Sequence, residues 1–126
     1  MVIEIMTNFI ITQAELDLIS NNLVLTNHAK DRLEERLAGK TLADIREMIK
    51  HPLCAWNNTD NTKCIAIDNY RYFVVVKSKT SKTQYVLITI KEKSKNDVPV
   101  TKKFVMAFFG KNLKKRGNEN VDCRQN

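Results

Sequence analysis

The feature that most limits how this chain can fold is a change of hydrophobic period at Pro52. Before it, apolar residues recur every three or four positions; after it, they alternate in short runs. Ala29, Leu33 and Leu37 repeat at i, i+4 and i+8, and Leu42, Ile45, Met48 and Ile49 mark a second helical stripe. Beyond Pro52, residues 53–58, 63–68, 71–79 and 83–92 (LCAWNN, KCIAID, RYFVVVKSK, TQYVLITIKE) read as strands separated by NTDNT, NY and TSK. Connections this short force neighbouring strands to run antiparallel.

Boundary signals sharpen the helices. Thr12 and Glu15 have capping-box spacing, with Ile11 and Leu16 placed as a staple around a helix over 13–21. Asn21 and Asn22 end it, and residues 23–25 form a short extended link. Thr26 or Asn27 caps the next helix, which Gly39 stops. The third starts at Thr41, has Asp44 at its N3 position and ends before Pro52. Residues 2–11 suit either an edge strand or a packed arm. After a polar link containing Pro99, Phe104, Val105, Phe108 and Phe109 are expected on one side of a closing amphipathic helix, weakened by Gly110.

The resulting expectation is an α+β fold: N-terminal helices packed on a four-stranded antiparallel meander, with a C-terminal amphipathic helix. A chain of 126 residues with 43% apolar content fits one core. We therefore expect a single domain over 1–116 and a disordered polar tail over 117–126. No apolar run reaches 18 residues and no basic segment precedes the start, which points to a soluble cytoplasmic protein without a membrane partner.

The formal charge of +7 is unevenly placed. Residues 1–90 hold 11 Lys/Arg against 10 Asp/Glu, whereas residues 91–126 hold 10 against 4. Such clustering suits a polyanion, because each neutralised phosphate releases counterions; a solubilising tail is the alternative. Cys54, Cys64 and Cys123 contain no CxxC pair, and His28 and His51 are the two histidines, so the expected metal and cofactor content is none. Cys54 and Cys64 can meet across a hairpin, but small apolar neighbours favour buried free thiols.

In NHAKDRLEER (27–36), His28, Arg32 and Arg36 stack as one helical ridge beside the apolar stripe. That ridge is either a solvated edge or a phosphate-handling surface. Three stretches, LTNHAKDRLEER, TLADIREMIKHP and the strand ending YVLITIKEK, resemble the small RelE-like and BrnT-like toxin ribonucleases and related phage-borne proteins, within the barnase, EndoU, colicin and RelE superfamily. The resemblance spans Leu25 to Lys91 and rests on an H-A-x-x-R-x-x-x-R helix, a second helix running into a proline, and a last strand ending in a basic residue. His28, Arg32, Arg36, Pro52 and Lys91 hold those places. In BrnT-like proteins the last strand ends Ser-Ala-Arg; here it reads Thr89-Ile90-Lys91, so a point-charge ammonium replaces a bidentate fork.

The resemblance implies RNA binding, or metal-independent RNA cleavage, on the open face of the sheet in a bacterial or phage-infected cell. Cleavage needs a proton acceptor for the 2′-hydroxyl, a donor for the leaving oxygen and cations for the phosphorane. The helix macrodipole disfavours the His28 imidazolium and Asp31 favours it, so His28 can serve as base or acid. Arg32 and Arg36 can grip a phosphate, with Arg71 and Lys91 completing a basic rim. Tyr70, Tyr72 and Tyr85 can stack bases, although tyrosines on strands are more often sheet-face residues. Lys111, Lys114 and Lys115 extend the basic surface. His51, at a helix end, interacts with terminal carbonyls. Trp56 and the phenylalanines are assigned to the core. Two other functions fit the same residues: an accessory protein holding nucleic acid without cutting it, and an inhibitor of a host or defence protein. An acidic protein partner or antitoxin suits both the toxin and the inhibitor.

Overall fold

The computed structural model describes the backbone of residues 9–116 and the side chains of residues 9–109. The tail expected over 117–126 lies outside the described residues. Four helices and five strands follow in the order α1 (Gln13–Asn21), β1 (Leu23–Leu25), α2 (Asn27–Arg36), α3 (Leu42–Lys50), β2 (Cys54–Asn57), β3 (Lys63–Ala66), β4 (Arg71–Lys77), β5 (Tyr85–Glu92) and α4 (Val100–Arg116).

The helix starts match their sequence signals. Thr12 accepts from the Glu15 amide and Thr26 from the Ala29 amide. Thr41 and Asp44 form a reciprocal capping box that satisfies two otherwise orphaned donors. At α1 the box is different: the Glu15 carboxylate pairs with Lys63 at 2.9 Å. Gly39, after α2, sits at φ +85°, where a side chain would be strained.

The sheet differs from the expected four-stranded antiparallel meander. β2, β3, β4 and β5 do run antiparallel in sequence order, but β1 adds a fifth strand parallel to β5, giving the mixed order β1-β5-β4-β3-β2. Residues 23–25 are too few to show alternation, and their partners lie about sixty residues away; pairing at that range leaves no local signature. At the opposite edge Ile10 bridges to Trp56 and the Ile11 amide donates to Ala55, so the arm reading holds for residues 9–11.

One sheet face carries the main core. Ile19, Ile45, Ile49, Ile65, Phe73, Val75, Leu87 and Ile90 are all fully buried there, between the sheet and α1–α3. Ser20, also fully buried, bonds the Arg46 carbonyl and ties α1 to α3. On the second face, Phe9, Trp56, Cys64 and Tyr72 pack under Val100, Phe104, Ala107 and Phe108 of α4. Stacked and tilted rings link Phe9, Trp56 and Phe104 at centroid separations of 5.4–5.6 Å. The face expected to be open is thus covered on the β2 side. The expected apolar side of α4 is also corrected: Phe104 and Phe108 point inward with Val100, while Val105, Met106 and Phe109 are exposed. The helix runs unbroken through Gly110. Among the described residues, no helix is long and apolar enough to cross a membrane. Cys54 and Cys64 are free thiols; Cys54 stands opposite Ala66 and Cys64 opposite Trp56. Burial pushes both thiols up.

Candidate nucleic-acid interface

β1 covers the outer edge of β5 only as far as Leu87. Past that point the edge presents carbonyls that need donors. The Thr26 amide donates to Leu87 O and its hydroxyl to Ile88 O, which pins the start of α2 to the strand. Arg36, at the end of α2, donates through Nη1 to Ile90 O. Between them, His28 Nε2 lies 3.0 Å from Thr89 Oγ1, with the donor set by the imidazole tautomer. The 28–32–36 ridge therefore runs along the seam between α2 and β5, and part of its role is to cover a strand edge.

A bulge in β5 makes the His28 contact possible. Val75 pairs with Leu87 but Val74 pairs with Thr89, so Ile88 is an extra residue. Leu87 and Ile90 both face the main core, three residues apart, which turns Ile88 and Thr89 together to the other side. His28 itself is exposed, and among the described residues its Nδ1 has no hydrogen-bond partner.

The cations around this seam are mostly paired. Arg32 Nη1 holds Glu35 Oε1 at 2.6 Å, and Arg36 Nε lies 3.9 Å from Glu92. Arg71 donates twice to Asp68 Oδ2, at 2.8 and 3.1 Å, and once to the Arg36 carbonyl at 3.4 Å, linking the β3–β4 turn to the end of α2. Burial raises the Asp68 carboxyl, but donors from Tyr70 and Arg71 outweigh it and hold it below the usual carboxylate range. Lys91 is exposed on β5, opposite Tyr72. Beside Arg71, a groove of ≈ 530 Å³ is walled by Asp68, Tyr70, Glu92 and residues 93–95.

His28, Arg32, Arg36, Arg71 and Lys91 are thus brought to one side of the molecule, along the stretch of β5 that β1 leaves uncovered. Tyr85 is not among them. It is 6% exposed and faces the helices beside Glu15, so it has no ring face for a base; burial first, then Glu15, pushes its phenol up. Tyr72 is likewise buried, with its hydroxyl accepting from Lys103 Nζ at 3.3 Å. Lys111, Lys114 and Lys115 belong to α4 by their backbone, and their side chains lie outside the described residues. His51 is the C-cap of α3, its amide donating to the Glu47 carbonyl, while its exposed imidazole lies 3.9 Å from the Glu47 carboxylate. Sequence reasoning missed Thr26 and Thr89 as the residues that fix the ridge to the sheet. Thr26 was legible as a cap; Thr89 depends on a bulge that alternation alone does not reveal.

No protein-family model, curated protein or solved structure matches this chain.

Proposed function

We propose that this protein binds RNA along the seam between α2 and β5, and that His28 is the proton-transfer group for metal-independent cleavage there. The observation that carries the reading is the placement of an exposed imidazole, tethered to β5 by Thr89, on the same ridge as two arginines. One nitrogen held by a hydroxyl fixes the ring and leaves the other for a ribose hydroxyl or a leaving oxygen. Arg32 and Arg36 pair with surface carboxylates, and such pairs are weak enough for a phosphate to displace them. The resemblance to RelE-like and BrnT-like ribonucleases supports the same reading, as does the lysine excess after residue 90.

A second reading keeps the binding and drops the chemistry. It is favoured by the carboxylate or carbonyl that each seam arginine already holds, which makes the ridge a finished structural edge. On that reading the chain is an accessory protein that holds nucleic acid, or one that occupies an acidic protein partner. The deciding experiment is cleavage of single-stranded RNA in excess chelator by wild-type and His28→Ala protein, with filter retention measured on the same samples. Cleavage lost in the variant supports the nuclease; equal retention with no cleavage by either supports the binder. Absence of both cleavage and salt-sensitive retention overturns the RNA reading and leaves the protein-partner function.

A further inference from the structure

The β5 bulge that presents Thr89 to His28 also presents Ile88 to a groove outside the seam. The groove, ≈ 700 Å³ in volume, lies where the 58–62 loop overhangs β4 and β5. Val76 and Ile88 form its half-buried apolar floor, and both face away from the main core: Val76 pairs with Val86, which alternates with the core residues Tyr85 and Leu87. Lys79 and, at the end of β4, Lys77 stand on its rim, exposed and, among the described residues, in no ion pair; Lys63, also in the lining, is held by Glu15 at 2.9 Å. This contrasts with the arginines of the seam, each of which already holds an acidic side chain.

The wall is held by hydrogen bonds within the loop. The Asn58 amide accepts from Trp56 Nε1 at 3.0 Å and donates to Thr62 Oγ1 at 3.0 Å, so it is fully used in holding the loop. The one carboxylate of the lining, Asp60, accepts from the Thr62 hydroxyl at 2.6 Å through Oδ1. Asn61, held at φ +70°, is also part of the lining. An aliphatic floor, a carboxylate with an amide at the wall and two free ammonium groups at the rim together suit a planar heteroaromatic ring that carries a phosphate.

We infer that this groove binds one nucleotide, its base over Val76 and Ile88 and its phosphate at Lys77 and Lys79. Because Ile88 and Thr89 are consecutive, the groove adjoins the seam, and its occupant in an RNA complex is the nucleotide next to the one at His28; that last point rests on the RNA reading above. Both lysines are exposed, and neither takes part in the contacts that fix His28, Arg32 and Arg36.

The test is titration of the full chain with the four nucleoside 5′-monophosphates, followed by the methyl resonances of Val76 and Ile88. Uncharged nucleosides and inorganic phosphate serve as controls, and the Lys77→Glu/Lys79→Glu variant is titrated in parallel. Expected are methyl shifts with the monophosphates, binding at least tenfold weaker for either control, and at least a tenfold loss in the variant. Inorganic phosphate binding as tightly as the nucleotides, methyls unmoved at millimolar nucleotide, or an unaffected double variant would each overturn the assignment. RNA retention on wild type separates the two readings. Long RNA held while no mononucleotide moves the methyls removes the groove alone; mononucleotides held while long RNA is not retained removes the RNA reading and leaves a nucleotide site.

Discussion

His28 Nε2 sits 3.0 Å from the hydroxyl of Thr89, and the two residues meet because a bulge in β5 turns Thr89 out of the alternation of its strand. The contact joins the second residue of α2 to the uncovered end of an otherwise paired strand. Three polar side chains of that segment, Thr26, His28 and Arg36, reach three consecutive residues of β5. The same spacing that suggests a phosphate grip also covers a sheet edge, and the two roles make different demands on each residue.

His28→Ala is expected to lower chelator-resistant RNA cleavage by at least about 100-fold, the usual contribution of a positioned acid or base. Its cost in stability is expected to stay near 1 kcal/mol, since the exposed ring loses one hydrogen bond. Initial rates and urea unfolding on the same preparation check both. Loss of rate through unfolding would show as a lowered urea midpoint, and rescue of activity by His28→Gln would argue against proton transfer.

Arg36→Ala and Arg32→Ala should separate structure from binding. Arg36 serves the Ile90 carbonyl, so its removal leaves a half-buried acceptor without its donor and is expected to cost about 1–2 kcal/mol. Among the described residues Arg32 makes one surface pair, with Glu35, and its removal should change stability by less than about 0.5 kcal/mol. Urea midpoints decide; equal effects would refute the edge-covering role of Arg36.

RNA retention should fall with salt. Replacing both Arg32 and Lys91 by Gln is expected to flatten the log–log slope by about 1.4, from about 0.7 per phosphate contact on a single strand. The slopes come from filter binding between low and physiological salt. An unchanged slope with weakened binding would mean that neither side chain touches phosphate.

The Asp68 carboxyl has its pKa lowered in the folded protein, so it contributes stability that is present above the unfolded value and disappears as pH falls through the folded one. Asp68→Asn should therefore destabilise at neutral pH by about 1 kcal/mol or less, given solvent screening of a side chain 42% exposed. The gap between variant and wild type should close below about pH 4. Urea midpoints from pH 7 to pH 2.5 check the sign.

Three helix starts and four strands were readable from residue order. Thr12, Thr26 and Thr41 begin helices because a hydroxyl at those positions satisfies local donors, and the alternation after Pro52 marks β2 to β5 because a pleated strand puts successive side chains on opposite faces. Trp56 was assigned to the core by its size and apolar character, whereas the burial of Tyr72 beside the equally buried Phe73 was not readable, because α4 covers the second face of the sheet. What residue order did not reveal was everything set by contacts distant along the chain. β1 is a strand only because β5 supplies its partners, Tyr85 faces inward because α1 brings Glu15 over it, and Arg36 points at Ile90 because β1 stops at Leu25. The bulge at Ile88 shifts two side chains to one face without altering the local pattern of apolar residues. Periodicity reports the energetics of neighbours two to four residues apart; pairing between segments sixty residues apart is decided by the packed core as a whole, and the candidate interface is a product of that pairing.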